Sequence, residues 1–153
     1  GYNGIIIYQY TPSTPEFMSL TKKAANGVIW MGGSMKIKEP AVASYLNRWK
    51  AKYGAIPTDN YATHMRQIFD MWATAVKATG CSNCYNQVIN YVLQHPNKGL
   101  HTNFIFNPIN NTTLYGEAFY PVEWSQIRGG KHVFIYPENK YKEGEFRKPP
   151  WMK

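Results

Sequence analysis

An α/β fold is expected for this chain on three observations. Two continuous apolar runs, at residues 4–10 and 27–31, flank a short helical segment within about 30 residues, the size of a βαβ unit. Three later segments repeat apolar residues at helical intervals. Near the C-terminus Gly129-Gly130 separates two strand-like runs, and two adjacent glycines suit a two-residue hairpin because both take positive φ.

The elements follow in order. Gly4-Ile5-Ile6-Ile7-Tyr8-Gln9-Tyr10 has no polar alternation and reads as a strand buried on both faces. Thr11 to Pro15 breaks it. Thr14 is suited to cap a helix over 15–25 with Pro15 at its first position. The second strand, from Gly27, ends at Gly32-Gly33-Ser34. Pro40 opens a helix in which Val42, Tyr45, Leu46, Trp49 and Tyr53 share a face, and Gly54 closes it. A longer helix, about 60–79, aligns Ala62, Met65, Phe69, Trp72 and Val76 as its core stripe, with Gly80 after its end. A third helix, 85–94, presents Val88, Ile89, Val92 and Leu93. A short strand is expected at 104–106, a turn at 107–111, and then the terminal hairpin with its polar run into Pro149-Pro150-Trp151.

With 153 residues, 44% hydrophobic and 16% aromatic, the chain is able to bury a substantial core and is no disordered tail. It has no apolar run of spanning length. The first residues are neither Met nor a targeting segment, so a missing N-terminal part is expected. The net charge of +8 is spread along the chain, with no basic block and no nucleic-acid module, which favours solvated faces over a nucleic-acid surface.

The order of these elements resembles a known family. Ala24-Ala25-Asn26-Gly27-Val28-Ile29 matches an "A-A-x-G-V-I" entering a strand, and Lys52-Tyr53-Gly54 ends its amphipathic helix in "K-Y-G". Pro57 through Tyr61-Ala62, Ala75 through Gly80, Phe104-Ile105-Phe106-Asn107, Gln126 through Lys131, Pro137 and Pro149-Pro150-Trp151 continue the likeness. Together they are similar to the late part of type I periplasmic solute-binding proteins, the branched-chain amino acid and amide receptors of ABC transporters. The resemblance implies an incomplete fragment of that fold, spanning parts of two Rossmann-like lobes. Residues 1–35 would end the C-terminal lobe, 36–112 would supply helices and a strand to the N-terminal lobe, and 113–153 would return to the C-terminal lobe. It implies a non-enzymatic, exported, periplasmic or extracellular receptor, lipid-anchored or free, without cofactor. A small polar, amino-acid-like or amide-like solute would be its ligand, and membrane permease subunits its partners. Sheet edges left open would make the isolated chain dimerise or exchange strands, an expectation that a monodisperse monomer in light scattering would defeat.

Ligands of open α/β sheets bind beyond the carboxyl ends of the strands. The loop of Tyr10, Thr11 and Ser13 after the first strand is therefore a candidate, set against the alternative of an ordinary turn. By the resemblance, Tyr61, His64 and Arg66 at the start of the long helix also face the cleft. Receptors of this kind often carry Tyr-Asp there, whereas this chain has Met65-Arg66-Gln67, and the guanidinium would suit a carboxylate ligand. The alternative is a solvated helix face. The loop has no acid before Glu16, which argues against an ordinary α-amino acid. Cys81 and Cys84 form C-x-x-C between two helices, read as a local disulfide, with a thiol–disulfide redox site as the alternative function. His95 and His101 lack zinc-site spacing. No nucleophile elbow or phosphate loop is present.

Overall fold

The computed structural model describes residues 1–32, 39–57, 61–100, 103–116, 118–138 and 142–153. It is an α/β structure built on a four-stranded mixed sheet in the order β1-β2-β5-β6. The strands are β1 (Ile7–Gln9), β2 (Ile29–Gly32), β5 (Glu123–Arg128) and β6 (Lys131–Tyr136). β1 and β2 are parallel, pairing Ile7 with Ile29 and Gln9 with Met31. β5 runs antiparallel to β2, pairing Gly32 with Glu123, and β6 runs antiparallel to β5. The sheet thus joins the two ends of the chain, while residues 40–94 carry the helices α2 (Pro40–Tyr53), α3 (Tyr61–Thr79) and α4 (Tyr85–Gln94). A two-stranded ladder of β3 (Asn97–Lys98) and β4 (Asn103–Phe104) follows α4.

Local chemistry sets most boundaries as expected. The Thr14 side chain accepts a hydrogen bond from the Phe17 N–H at 3.4 Å, and Pro15 opens α1 (Pro15–Thr21). α1 stops earlier than the expected 25, because Lys22 turns to φ 48° and residues 22–25 tighten into a 3₁₀ turn. Gly129 and Gly130 have φ of 54° and 77°, the doubly positive geometry of a type I′ hairpin. The strand expected at 104–106 is cut to Asn103–Phe104, with Phe106 keeping only an isolated bridge to Thr113. Asn60, the expected start of α3, lies outside the described residues.

One core lies under the sheet, where Ala25, Val28, Trp30 and Ile127 are buried with Ile6, Phe17, Met18 and Trp151 packed against them. The C-terminal tail closes it: Trp151 Nε1 donates to the Gly4 carbonyl at 2.8 Å. Gly27, at φ 100°, makes room for this tail, since a Cβ there would stand 2.7 Å from Pro150 Cδ. A second core gathers Val42, Tyr45 and Leu46 of α2 with Trp49 and Leu100, using the stripe expected from sequence.

Two expectations about burial are corrected. β1 is not buried on both faces: Ile7 and Tyr8 are 56% and 41% exposed, because β1 is the edge strand of the sheet. The apolar stripe of α3 is not its core face either. Met65, Phe69 and Trp72 are exposed, while Thr63, Gln67 and Ala75 are buried on the opposite side. The element that α3 chiefly meets is α4.

Candidate ligand-binding site

The parallel pairing of β1 with β2 and the reversal of β5 bring Gln9, Gly32 and Glu123 to one end of the sheet. Tyr10 is the residue that turns the chain there. Its N–H donates to the Met31 carbonyl at 2.9 Å and its carbonyl accepts from the Ser13 N–H at 2.8 Å. These bonds hold Tyr10 at φ 57°, a conformation that costs a non-glycine residue about 1 kcal/mol or more and that concentrates at ligand sites. Pro12 and Ser13 are buried in the following 3₁₀ turn, and Thr11 is exposed, its hydroxyl 3.4 Å from the Gln9 carbonyl.

Tyr120 lies just before β5 and therefore at the same end of the sheet. Its phenol stands beside that of Tyr10. It also shares a 2.6 Å hydrogen bond with His64 Nε2, the rings meeting edge to face at 5.5 Å. Phe104 stacks on the Tyr120 ring at 5.5 Å and Tyr115 meets it edge-on at 6.0 Å. Burial, then the neighbouring Tyr10, Tyr115 and Glu123, push the Tyr120 phenol well above the usual tyrosine range. It stays protonated across the physiological range and can both donate and accept. Glu123, 3% exposed, and Ser13, with a buried hydroxyl, stand at the same end. The result is an aromatic, hydroxyl-rich cluster in which three separate chain segments meet at a single phenol.

Of the residues singled out from sequence, Tyr10 and His64 converge on Tyr120, and Thr11 and Ser13 stand in the adjoining turn. Arg66 does not join them. It is two residues beyond His64, on another face of α3, where its Nε donates to Asp70 Oδ2 at 2.7 Å. That bond and the Asp70 charge raise its pKa further. The Tyr61 side chain lies outside the described part of the structure. Sequence reasoning missed Tyr120, Tyr115 and Phe104. Tyr120-Pro121 before a strand was the available signal, but its meaning depends on β5 pairing with β2.

Cys81 and Cys84 are joined in a disulfide, with Cα atoms 5.5 Å apart, in the turn between α3 and α4. Cys84 stands at the N-terminus of α4. Among the described residues no three of His, Cys, Asp or Glu converge as a metal site, and no helix is long and apolar enough to cross a membrane.

Solved structures share this fold. A protein from Silicibacter pomeroyi assigned to branched-chain amino acid ABC transport superposes on 98% of this chain with a TM-score of 0.73 and 18% identity; 41% of its own length is covered. The leucine binding protein LivK of Thermotoga maritima matches 89% of the chain with a TM-score of 0.70 and 14% identity, over 37% of its length. An extracellular ligand-binding receptor from Rhodopseudomonas palustris HaA2 gives 0.65 at 16% identity, over 42% of its length. No family model matches the sequence, and no curated protein matches it. The chain thus has the α/β fold of type I periplasmic binding proteins and spans about two fifths of the length of these structures.

Proposed function

We propose that the chain is the late portion of an extracytoplasmic solute-binding component of an ABC transporter, a binding protein rather than an enzyme. The observation that carries this reading is the meeting of Tyr10 and His64 at Tyr120, in a fold shared with branched-chain amino acid transport proteins. In this reading residues 1–35 and 113–153 belong to one lobe and 36–112 to the other. His64 then reaches the Tyr10 turn across the cleft, and a solute held by both sides draws the lobes together. The hydroxyls of Tyr10, Thr11, Ser13 and Tyr120 suit the polar end of a small amino-acid-like or amide-like solute, and the Phe104 and Tyr115 rings its apolar part. Permease subunits in the membrane are the partners of the closed form. The exposed apolar face of α3 and the open β1 edge support self-association of the isolated chain.

The test is calorimetric titration of the full-length protein with branched-chain amino acids and their amides. One member of that panel is expected to bind, and Tyr120→Ala is expected to weaken it roughly 10–100-fold, the range for losing hydrogen bonds and ring contacts in a closed site. His64→Ala should weaken it less, because it removes one partner of the phenol. No binding across the panel, or wild-type affinity in Tyr120→Ala, overturns the reading.

A further inference from the structure

The end of the sheet remote from Tyr10 carries a second feature that solute binding does not use. Roughly 17 Å along β5 from Glu123, by strand rise alone, the strand ends at Arg128. There a cavity of about 350 Å³ is lined by Arg128, Arg147 and Lys148 with Asn26 and Gln126. A neighbouring cavity of about 550 Å³ shares Asn26 and Gly129 with it and adds Lys22 and Lys23. Five cations therefore surround two adjoining hollows, and no carboxylate lines either among the described residues.

The arrangement is held by specific bonds. Gln126, 1% exposed, donates from Nε2 to the Arg147 carbonyl at 2.6 Å and accepts the Arg147 N–H on Oε1 at 3.0 Å. The same Oε1 accepts from Arg128 Nε at 2.8 Å, and Arg128 Nη2 donates to the Glu145 carbonyl. One buried amide thus fixes the backbone of one arginine beside the guanidinium of another. Burial and the Arg147 charge both lower the Arg128 pKa, as expected for like charges held close. The nearest acid on this tail, Glu145, has its carboxylate on Lys142 at 2.5 Å. The side chains of Arg147, Lys148, Lys22 and Lys23 make no hydrogen bond or ion pair among the described residues. Guanidinium pairs set on a rigid support are the usual means of gripping a phosphate group through charge-assisted, bidentate bonds.

We propose that these two cavities form a phosphate-binding site, remote from the cleft, for a phosphate ester or a phospholipid headgroup. It stands independently of the solute-binding reading, because its residues lie at the opposite end of β5.

The test uses the full chain in low salt with two probes: inorganic pyrophosphate by calorimetry, and phosphatidylglycerol vesicles by co-sedimentation against phosphatidylcholine ones. Two double variants that remove equal charge are compared, Arg147→Ala/Lys148→Ala in the site and Lys50→Ala/Lys52→Ala on α2. Because the Arg147 and Lys148 side chains make no hydrogen bond or ion pair among the described residues, the first pair should keep the wild-type circular dichroism. Binding of one pyrophosphate per chain, weakened at least tenfold by the first pair and under twofold by the second, supports the site and assigns it to soluble phosphates. The same pattern with vesicles alone assigns it to a headgroup. Equal loss in both variants means net charge alone attracts the anion and overturns the proposal, as does the absence of binding to either probe.

Discussion

Trp30→Ala is expected to destabilise the chain by about 3–5 kcal/mol, the range for removing a large buried aromatic side chain. Trp30 is 1% exposed at the centre of the sheet core, against Ala25, Val28 and Ile127. Its indole N–H also donates to His132 Nδ1 at 3.0 Å, the rings meeting edge to face at 5.3 Å. Truncation therefore leaves a cavity and an imidazole nitrogen without its donor. A urea midpoint within the error of wild type would refute this account of the core. The same pair gives a pH dependence. Burial lowers the His132 pKa below the ordinary 6.5, and the Trp30 N–H bond requires an unprotonated Nδ1. The unfolded chain takes up the proton more readily than the folded one, so this contribution is whole above about pH 6.5 and is lost as pH falls toward the folded value. His132→Gln should flatten the acid side of the stability profile.

Gln126→Leu is expected to cost about 2–4 kcal/mol and to free the C-terminal tail. The volume is nearly conserved, so the effect reports hydrogen bonds rather than packing. The carboxamide bonds both backbone groups of Arg147, the Arg128 guanidinium and, at 3.3 Å, the Gly27 carbonyl. Buried groups left unmatched cost about 1–3 kcal/mol each, while those on the exposed tail recover bonds to water. With its clamp removed, the tail should leave Gly27 and Trp151 should release Gly4. Trypsin then has access to the bond after Arg147, the one after Lys148 being blocked by Pro149. Wild-type resistance to trypsin together with an unchanged midpoint would show that the tail is held by Trp151 and the prolines alone.

Much of the architecture is written in local chemistry. Thr14-Pro15 starts α1, Gly54 closes α2, and Gly129-Gly130 turns the hairpin, because each depends on a few adjacent residues. The α2 stripe is also legible, since Val42, Tyr45 and Leu46 share a face and that face meets the core. The α3 stripe shows the limit of the same logic. Helical spacing groups Met65, Phe69 and Trp72 on one side, but says nothing of which side another element will cover. The apolar run of β1 misleads for a related reason, as edge or centre is a property of the sheet.

The candidate site divides in the same way. Tyr10 stands out from its place after a strand, and His64 from the family resemblance of the helix that carries it. Tyr120 gains its role only when β5 reverses against β2 and carries the residue before it to the Tyr10 turn. By itself the sequence determined where the three long helices and the terminal hairpin lie, through caps, glycines and apolar spacing. Tertiary structure alone decided which faces are covered and which distant side chains meet, because contacts between segments far apart in the chain arise from pairing and packing that no local pattern encodes.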